Sequence, residues 1–276
     1  MKKLLLVLTV IVLSMAVLCA CTQNDVQNND VAENNEVEES KDIEENNDVE
    51  ENNDIEENND IEEGNDVEEN NDIAEPAVMT YAEYAAAELD TPVVIDAYVQ
   101  GKQSWWDNKA TVYTQDEDGA YFLYEMACSE EDYAKLEKGT HIKVSGYKAE
   151  WSGEVEIVDA TFEIIDGSYI AEPFDATALL GTDELVEHQN KFVTFNGMTL
   201  EAVNYKNDQP GDDIYVTLSK DGEFYDFCVE VYLTGTETDV YKALGELEAG
   251  SVVDLEGFLY WYEGPNTHIT NIGLAA

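Results

Sequence analysis

The chain has 276 residues, of which 62 are Asp or Glu and 13 are basic, every one of these a Lys, for a formal net charge of −49. An apolar fraction of 44% supplies material for real cores and excludes wholesale disorder, and only one stretch approaches the ~18 apolar residues that span a bilayer, which excludes a multi-pass membrane protein. The charge balance also counts against nucleic acid as a partner, because a conventional binder displaces counterions from phosphates with a basic footprint.

Lys2 and Lys3 precede an apolar run from Leu4 to Leu18 that only Thr9 and Ser14 interrupt, and the run ends in Leu18-Cys19-Ala20-Cys21. Residues 1–20 therefore read as an export signal. The tetrad resembles the lipobox of bacterial lipoproteins, with Leu three residues before the acceptor Cys and a small residue directly before it. The resemblance implies cleavage before Cys21, acylation of Cys21, and anchorage in the lipid bilayer with the folded part outside the cell, most simply in a Gram-positive type of envelope. An ordinary signal peptide is the alternative. Cys128 and Cys228 are then the remaining pair; buried free thiols in strands are the preferred reading, one disulfide the other.

From Asn28 to Glu75 the chain is a run of eight hexads, such as Asn52-Asn53-Asp54-Ile55-Glu56-Glu57, with 22 acidic residues and one Lys. A hexapeptide β-helix would stack those carboxylates in register, and a six-residue period gives a helix no apolar stripe. Residues 21–76 are expected to form a disordered, self-repelling stalk with a relaxed span of roughly 40 Å.

Beyond Pro76 the composition becomes globular. Thr80 with Glu83 forms a capping box for a short helix to Leu89. Strands are expected at Val93–Val99, Ala110–Tyr113 and Ala120–Cys128, with Asp118-Gly119 turning the last pair. Ser129 with Asp132 caps a second helix that stops at Gly139, and strands follow at His141–Ala149 and Val155–Ile165. This order, three strands, helix, two strands, resembles the OB-fold and the OB-type modules of exported Gram-positive lipoproteins. The likeness rests on Gly139–Tyr147 and on Trp151-Ser152-Gly153-Glu154-Val155-Glu156-Ile157, and it marks a fold, not an activity.

The second half repeats the first at an offset of 111. Leu136-Glu137-Lys138-Gly139-Thr140 falls on Leu247-Glu248-Ala249-Gly250-Ser251, Gly146-Tyr147 on Gly257-Phe258, Trp151 on Tyr262 and Gly153 on Gly264. Asp221-Gly222 marks the equivalent hairpin, and Thr236 with Asp239 the equivalent helix start. The fold class expected is mainly β: two tandem OB-like five-stranded barrels with short helices, over residues 77–170 and 171–276. One larger β-sandwich is the rival.

No catalytic motif stands out. The three His are scattered, and there is no G-x-S-x-G, no P-loop, no C-x-x-C and no Arg. Asp116-Glu117-Asp118-Gly119 reads as a hairpin turn, and Asp208, Asp212 and Asp213 as a weak surface cation site at best. No cofactor and no metal are expected, and the chain is read as a non-enzymatic protein.

OB-folds bind ligands on strands two and three, flanked by the one–two and four–five loops. In the first copy those loops hold Trp105, Trp106 and Trp151, with Lys102, Lys109 and Lys148 beside them. In the second copy they hold Tyr205 and Tyr260-Trp261-Tyr262. These rings either plug the barrel ends or form a stacking platform. Ten Lys against 39 acidic residues after Pro76 favour a neutral glycan or peptide as the ligand. A structural lipoprotein that binds other envelope proteins is the second reading, an oligonucleotide binder the third. If the lipobox reading holds, Cys21→Ser moves the protein from the detergent phase to the aqueous phase on phase separation; unchanged partitioning would refute it.

Overall fold

The computed structural model describes residues 77–276; the expectations for the signal, for Cys21 and for the acidic stalk lie outside them. In chain order the elements are α1 (Tyr81–Ala86), β1 (Pro92–Lys102), β2 (Lys109–Gln115), β3 (Ala120–Ala127), α2 (Glu130–Lys135), β4 (Thr140–Trp151), β5 (Glu154–Ser168), β6 (Phe174–Asp175), β7 (Phe192–Tyr205), β8 (Ile214–Lys220), β9 (Glu223–Val229), α3 (Val231–Thr234), α4 (Asp239–Glu246), β10 (Val252–Phe258) and β11 (His268–Leu274). None of the helices among the described residues is long and apolar enough to cross a membrane.

The first barrel closes in the order β1-β2-β3-β5-β4. Its β3–β5 pair is parallel and the other pairs are antiparallel. In the second half β7, β8, β9, β11 and β10 pair in the same order, β10 returns to β7, and β9–β11 is again the parallel pair. The short β6 adds to β7. The chain is thus mainly β with two OB-like barrels.

Strand alternation supplies each interior. Val93, Ile95, Ala97 and Val99 of β1 point into one core with Leu123 and Ile142. Phe195, Leu200, Val216, Phe227, Leu255 and Ile269 fill the other. A third cluster joins Tyr113 and Phe122 of the first barrel to Phe192 and Phe258 of the second.

The Thr80–Glu83 capping box is present, and the Ser129 hydroxyl accepts the Asp132 N–H at the start of α2. Helix α1 ends at Ala86, short of Leu89, because Lys148 Nζ donates to the carbonyls of Tyr84, Ala85 and Ala87 and satisfies the helix's last turn. Helix α4 starts from Thr238, not Thr236; the short α3, with Gly235 after it, takes up the preceding residues. Asp221 and Gly222 both have positive φ, 53° and 92°, as a two-residue hairpin turn matched to strand twist requires.

Gly146 and Gly257, equivalent at the 111-residue offset, both sit at register shifts in the fourth strand of their barrel. There the strand bends across its neighbour. A Cβ at Gly257 would lie 2.3 Å from the His268 carbonyl oxygen, and one at Gly146 would lie 2.8 Å from that of Val158. Both barrels therefore need glycine where the fourth and fifth strands come closest. Gly257→Ala should cost about 1–3 kcal/mol in denaturant titration. Gly273→Ala, with no atom within 4 Å of the new methyl, should change stability by less than about 0.5 kcal/mol.

Candidate functional site

The β1–β2 loop folds into a tight hairpin. Trp106 and Lys109 exchange backbone hydrogen bonds, and Asp107 and Asn108 between them have φ of 48° and 58°. This turn holds the two adjacent Trp side chains at the mouth of a cavity of about 550 Å³ between the barrels. Trp105 is half-buried and its indole N–H donates to the Cys128 carbonyl at 2.9 Å. Trp106 is 62% exposed. Phe122 and Tyr124 of β3 form the floor, and Glu230, Tyr232, Tyr260 and His268 close the far side from the second barrel.

The second barrel is held by the aromatic cluster and by polar contacts around it. The Tyr113 ring stacks on Phe258 with centroids 4.3 Å apart and planes 10° apart. Its hydroxyl is hydrogen-bonded to His268 Nδ1. Burial holds the His268 imidazole neutral, with its pKa lowered to about 4, and raises that of Tyr113 well above the usual phenol range. We assign the hydroxyl as the donor, which leaves the imidazole proton on Nε2. Tyr260 stacks on the same imidazole at 4.3 Å. Around this centre Gln115 Oε1 accepts the Phe192 N–H, Gln189 bridges Val155 and Gly153, and Ser104 N–H donates to the Tyr232 carbonyl.

Two carboxylates line the cavity. Glu125 takes Lys109 Nζ at 2.6 Å. Glu230 Oε2 accepts from Gln103 Nε2 at 2.6 Å. It lies 3.5 Å from His268 Nδ1, but a neutral imidazole makes this no ion pair. Burial, reinforced by the charge of Asp213, lifts the Glu230 pKa to about 7.

A third acid, Glu154, is wholly buried at the seam. Its Oε2 accepts the Trp261 N–H. Its Oε1 and the Oδ1 of Asn190 both lack a hydrogen bond, although the Asn190 side chain packs on this carboxyl; Asn190 Nδ2 is turned to the Val155 carbonyl. Burial pushes the Glu154 pKa up to about 8, against the lowering effect of Asn190 and of the Trp261 N–H.

Of the residues singled out in the sequence, Trp105, Trp106, Lys109 and Tyr260 come together in the cavity. Trp151 does not; it is 54% exposed and its ring meets Tyr262 at 5.2 Å. Trp261 packs against the second core and covers Gly153. Lys102 donates to the Tyr133 carbonyl and lies over that ring at 3.8 Å. Lys148 is buried as the cap of α1, and Tyr205 packs beside Tyr241 of α4. The Asp212–Asp213 pair is occupied by Lys206, at 3.3 and 2.9 Å. No group of three His, Cys, Asp or Glu suited to a metal occurs among the described residues. Cys128 and Cys228 are buried and unpaired. Gln103, Phe122, Tyr124, Glu230, Tyr232 and His268 were not singled out. Strand alternation in β3 points to Phe122 and Tyr124; the rest depend on how the barrels pack.

No protein family matches the chain, and no curated protein matches it. Among solved structures it is similar to the Ifi202 HINa domain in complex with 20bp dsDNA, at 12% identity and a TM-score of 0.31 over 65% of this chain and 92% of that one. A murine DNA-binding protein bound with dsDNA gives 12% and 0.33 over 67% and 96%. The p202 HIN1 domain in complex with 12-mer dsDNA gives 11% and 0.30 over 68% and 92%. These neighbours are DNA complexes, which runs against the expectation that set nucleic acid aside as a partner on net charge; the likeness itself is one of fold.

The sign of the Glu154 effect is fixed by its raised pKa. Between pH 4.5, where the carboxyl titrates when unfolded, and about pH 8, the native state binds the extra proton, so stability falls as pH rises through that window. Glu154→Gln keeps an acceptor for the Trp261 N–H and removes the titrating group. It should flatten this part of the pH–stability curve and raise stability at pH 8 by on the order of 1–3 kcal/mol.

Proposed function

We propose that the protein is a non-enzymatic binding module, exported and held at a membrane by acyl chains on Cys21, whose ligand seats in the cavity between its two barrels. One observation carries this reading. The β2–β3 face and β1–β2 loop of the first barrel, the surface OB-folds use for ligands, open onto a cavity with aromatic walls. Its volume of about 550 Å³ is that of a small-molecule site. The reading as a binder draws on the state of the cavity's polar groups. Lys109 is engaged by Glu125, Gln103 by Glu230, and His268 by Tyr113, so each orients a wall and none is set against a nucleophile. Glu125 and Glu230 move the ligand away from the neutral glycan or peptide that the overall charge had favoured.

The test uses Trp106. Its indole is exposed and contributes little to the core, so Trp106→Ala should leave the melting temperature nearly unchanged. Loss of one stacked ring should weaken a bound ligand by about 1–3 kcal/mol, or 5- to 150-fold. The measurement is tryptophan fluorescence of the full chain, titrated with small organic ligands, oligosaccharides, short peptides, and single- and double-stranded oligonucleotides. Saturable quenching that Trp106→Ala does not alter would place binding elsewhere.

A further inference from the structure

We propose that the cavity between the barrels takes an alkylammonium group: a small organic cation whose charge sits against Glu230 and whose N-alkyl face lies on Trp106 and Tyr260. The inference rests on the cavity's being the binding site and adds the chemistry of its ligand.

The cavity holds a carboxylate with no cation of the protein assigned to it. Lys109, the basic side chain of its lining, is bound to Glu125 at 2.6 Å across β2 and β3. His268 faces Glu230 but is neutral and hydrogen-bonded to Tyr113. Behind Glu230, Asp213 takes both Lys206 and the Val231 N–H, so Lys206 is committed there. Gln103 engages only Oε2 of Glu230. Glu230 itself lines the cavity, and the contacts its carboxylate makes among the described residues, to Gln103 and His268, both fall on Oε2. Burying a carboxylate without a counter-charge is costly, and a bound cation recovers that cost.

The walls fit the same charge. Trp105, Trp106, Phe122, Tyr124, Tyr232 and Tyr260 surround the space, and aromatic faces attract cations, above all soft, weakly hydrated ammonium groups. Metal ions fit poorly. Ca²⁺ or Mg²⁺ needs six or more oxygen ligands, and no group of three His, Cys, Asp or Glu suited to a metal occurs among the described residues; Glu125, the other carboxylate of the lining, is taken by Lys109. The fold already uses cation–π contacts, with Lys102 over Tyr133 and Lys138 over Phe192.

Choline and its neutral isostere 3,3-dimethyl-1-butanol separate charge from shape. On the full chain, choline should change tryptophan fluorescence saturably, with the isostere at least about tenfold weaker and Glu230→Gln at least about tenfold weaker for choline. Equal binding of the two ligands, or no response to choline, would overturn the inference. Should Glu230→Gln lower the melting temperature, the choline–isostere comparison on the unaltered protein decides. If choline fails while another ligand quenches in a Trp106-dependent way, the cation is wrong and the cavity stands. If no ligand's binding depends on Trp106, the cavity reading falls with it.

Discussion

The stacked pair of Tyr113 and Phe258 is the contact on which the two-barrel arrangement turns. Tyr113 and Phe122 lie on strands of the first barrel but belong to the cluster shared with Phe192 and Phe258, not to that barrel's own core. Without the second barrel they would form an exposed aromatic patch of the kind soluble domains avoid. Covering them removes that surface from water, and the near-parallel rings add about 0.5–1.5 kcal/mol beyond area burial. The hydrogen bonds of Gln115, Gln189 and Ser104 around the rim then fix the angle between the barrels. The cavity inherits its shape from this geometry, since Phe122 is at once a seam residue and part of the cavity floor.

The same seam traps acidic groups, and Glu154 and Glu230 resolve their burial differently. Glu154 is fully enclosed, with the Trp261 N–H on one oxygen and its pKa raised by burial to about 8. Glu230 has Gln103 on one oxygen and lines the cavity. One acid is enclosed in the protein, and the other faces the cavity. A buried polar group that is only half satisfied costs stability, and here that cost is located at the wall where a ligand would sit.

The fold was legible in the sequence where local rules decide it. Thr80 with Glu83, Ser129 with Asp132, and Asp221-Gly222 are short-range chemistry, and each appears as read. The repeated Gly-aromatic pairs at 146 and 257 were visible as a pattern, and their cause is the close passage of two strands in each barrel. The site was legible only in part. Trp105, Trp106 and Lys109 lie on one hairpin, so their proximity follows from the turn. Lys148 was misplaced because its partner helix is more than sixty residues earlier in the chain. Tyr113 and His268 are 155 residues apart, and nothing in local periodicity can bring them together. Glu230 follows β9 directly, at the N-cap of the unforeseen four-residue helix α3, and gains its meaning only from Gln103 across the seam.

A repeated barrel by itself would be expected to give two equivalent aromatic faces, yet the packing encloses only the first. The second barrel covers the β2–β3 face of the first, while its own equivalent face, β8–β9, carries Tyr215 and Phe224 exposed and is laced by polar pairs such as Thr217 with Asp226 and Ser219 with Glu201. The four–five loops of both copies meet instead, through Trp151 with Tyr262 and the Glu263 N–H on the Ser152 carbonyl. Contact between unlike faces is heterologous, and with two copies it leaves one face uncovered. The two barrels therefore meet different physical constraints. The first carries aromatic residues on its β2–β3 face, where the second barrel shields them. The second supplies Glu230, Tyr260 and His268 from positions that face that neighbour. The site belongs to the pair, and neither barrel alone would contain it.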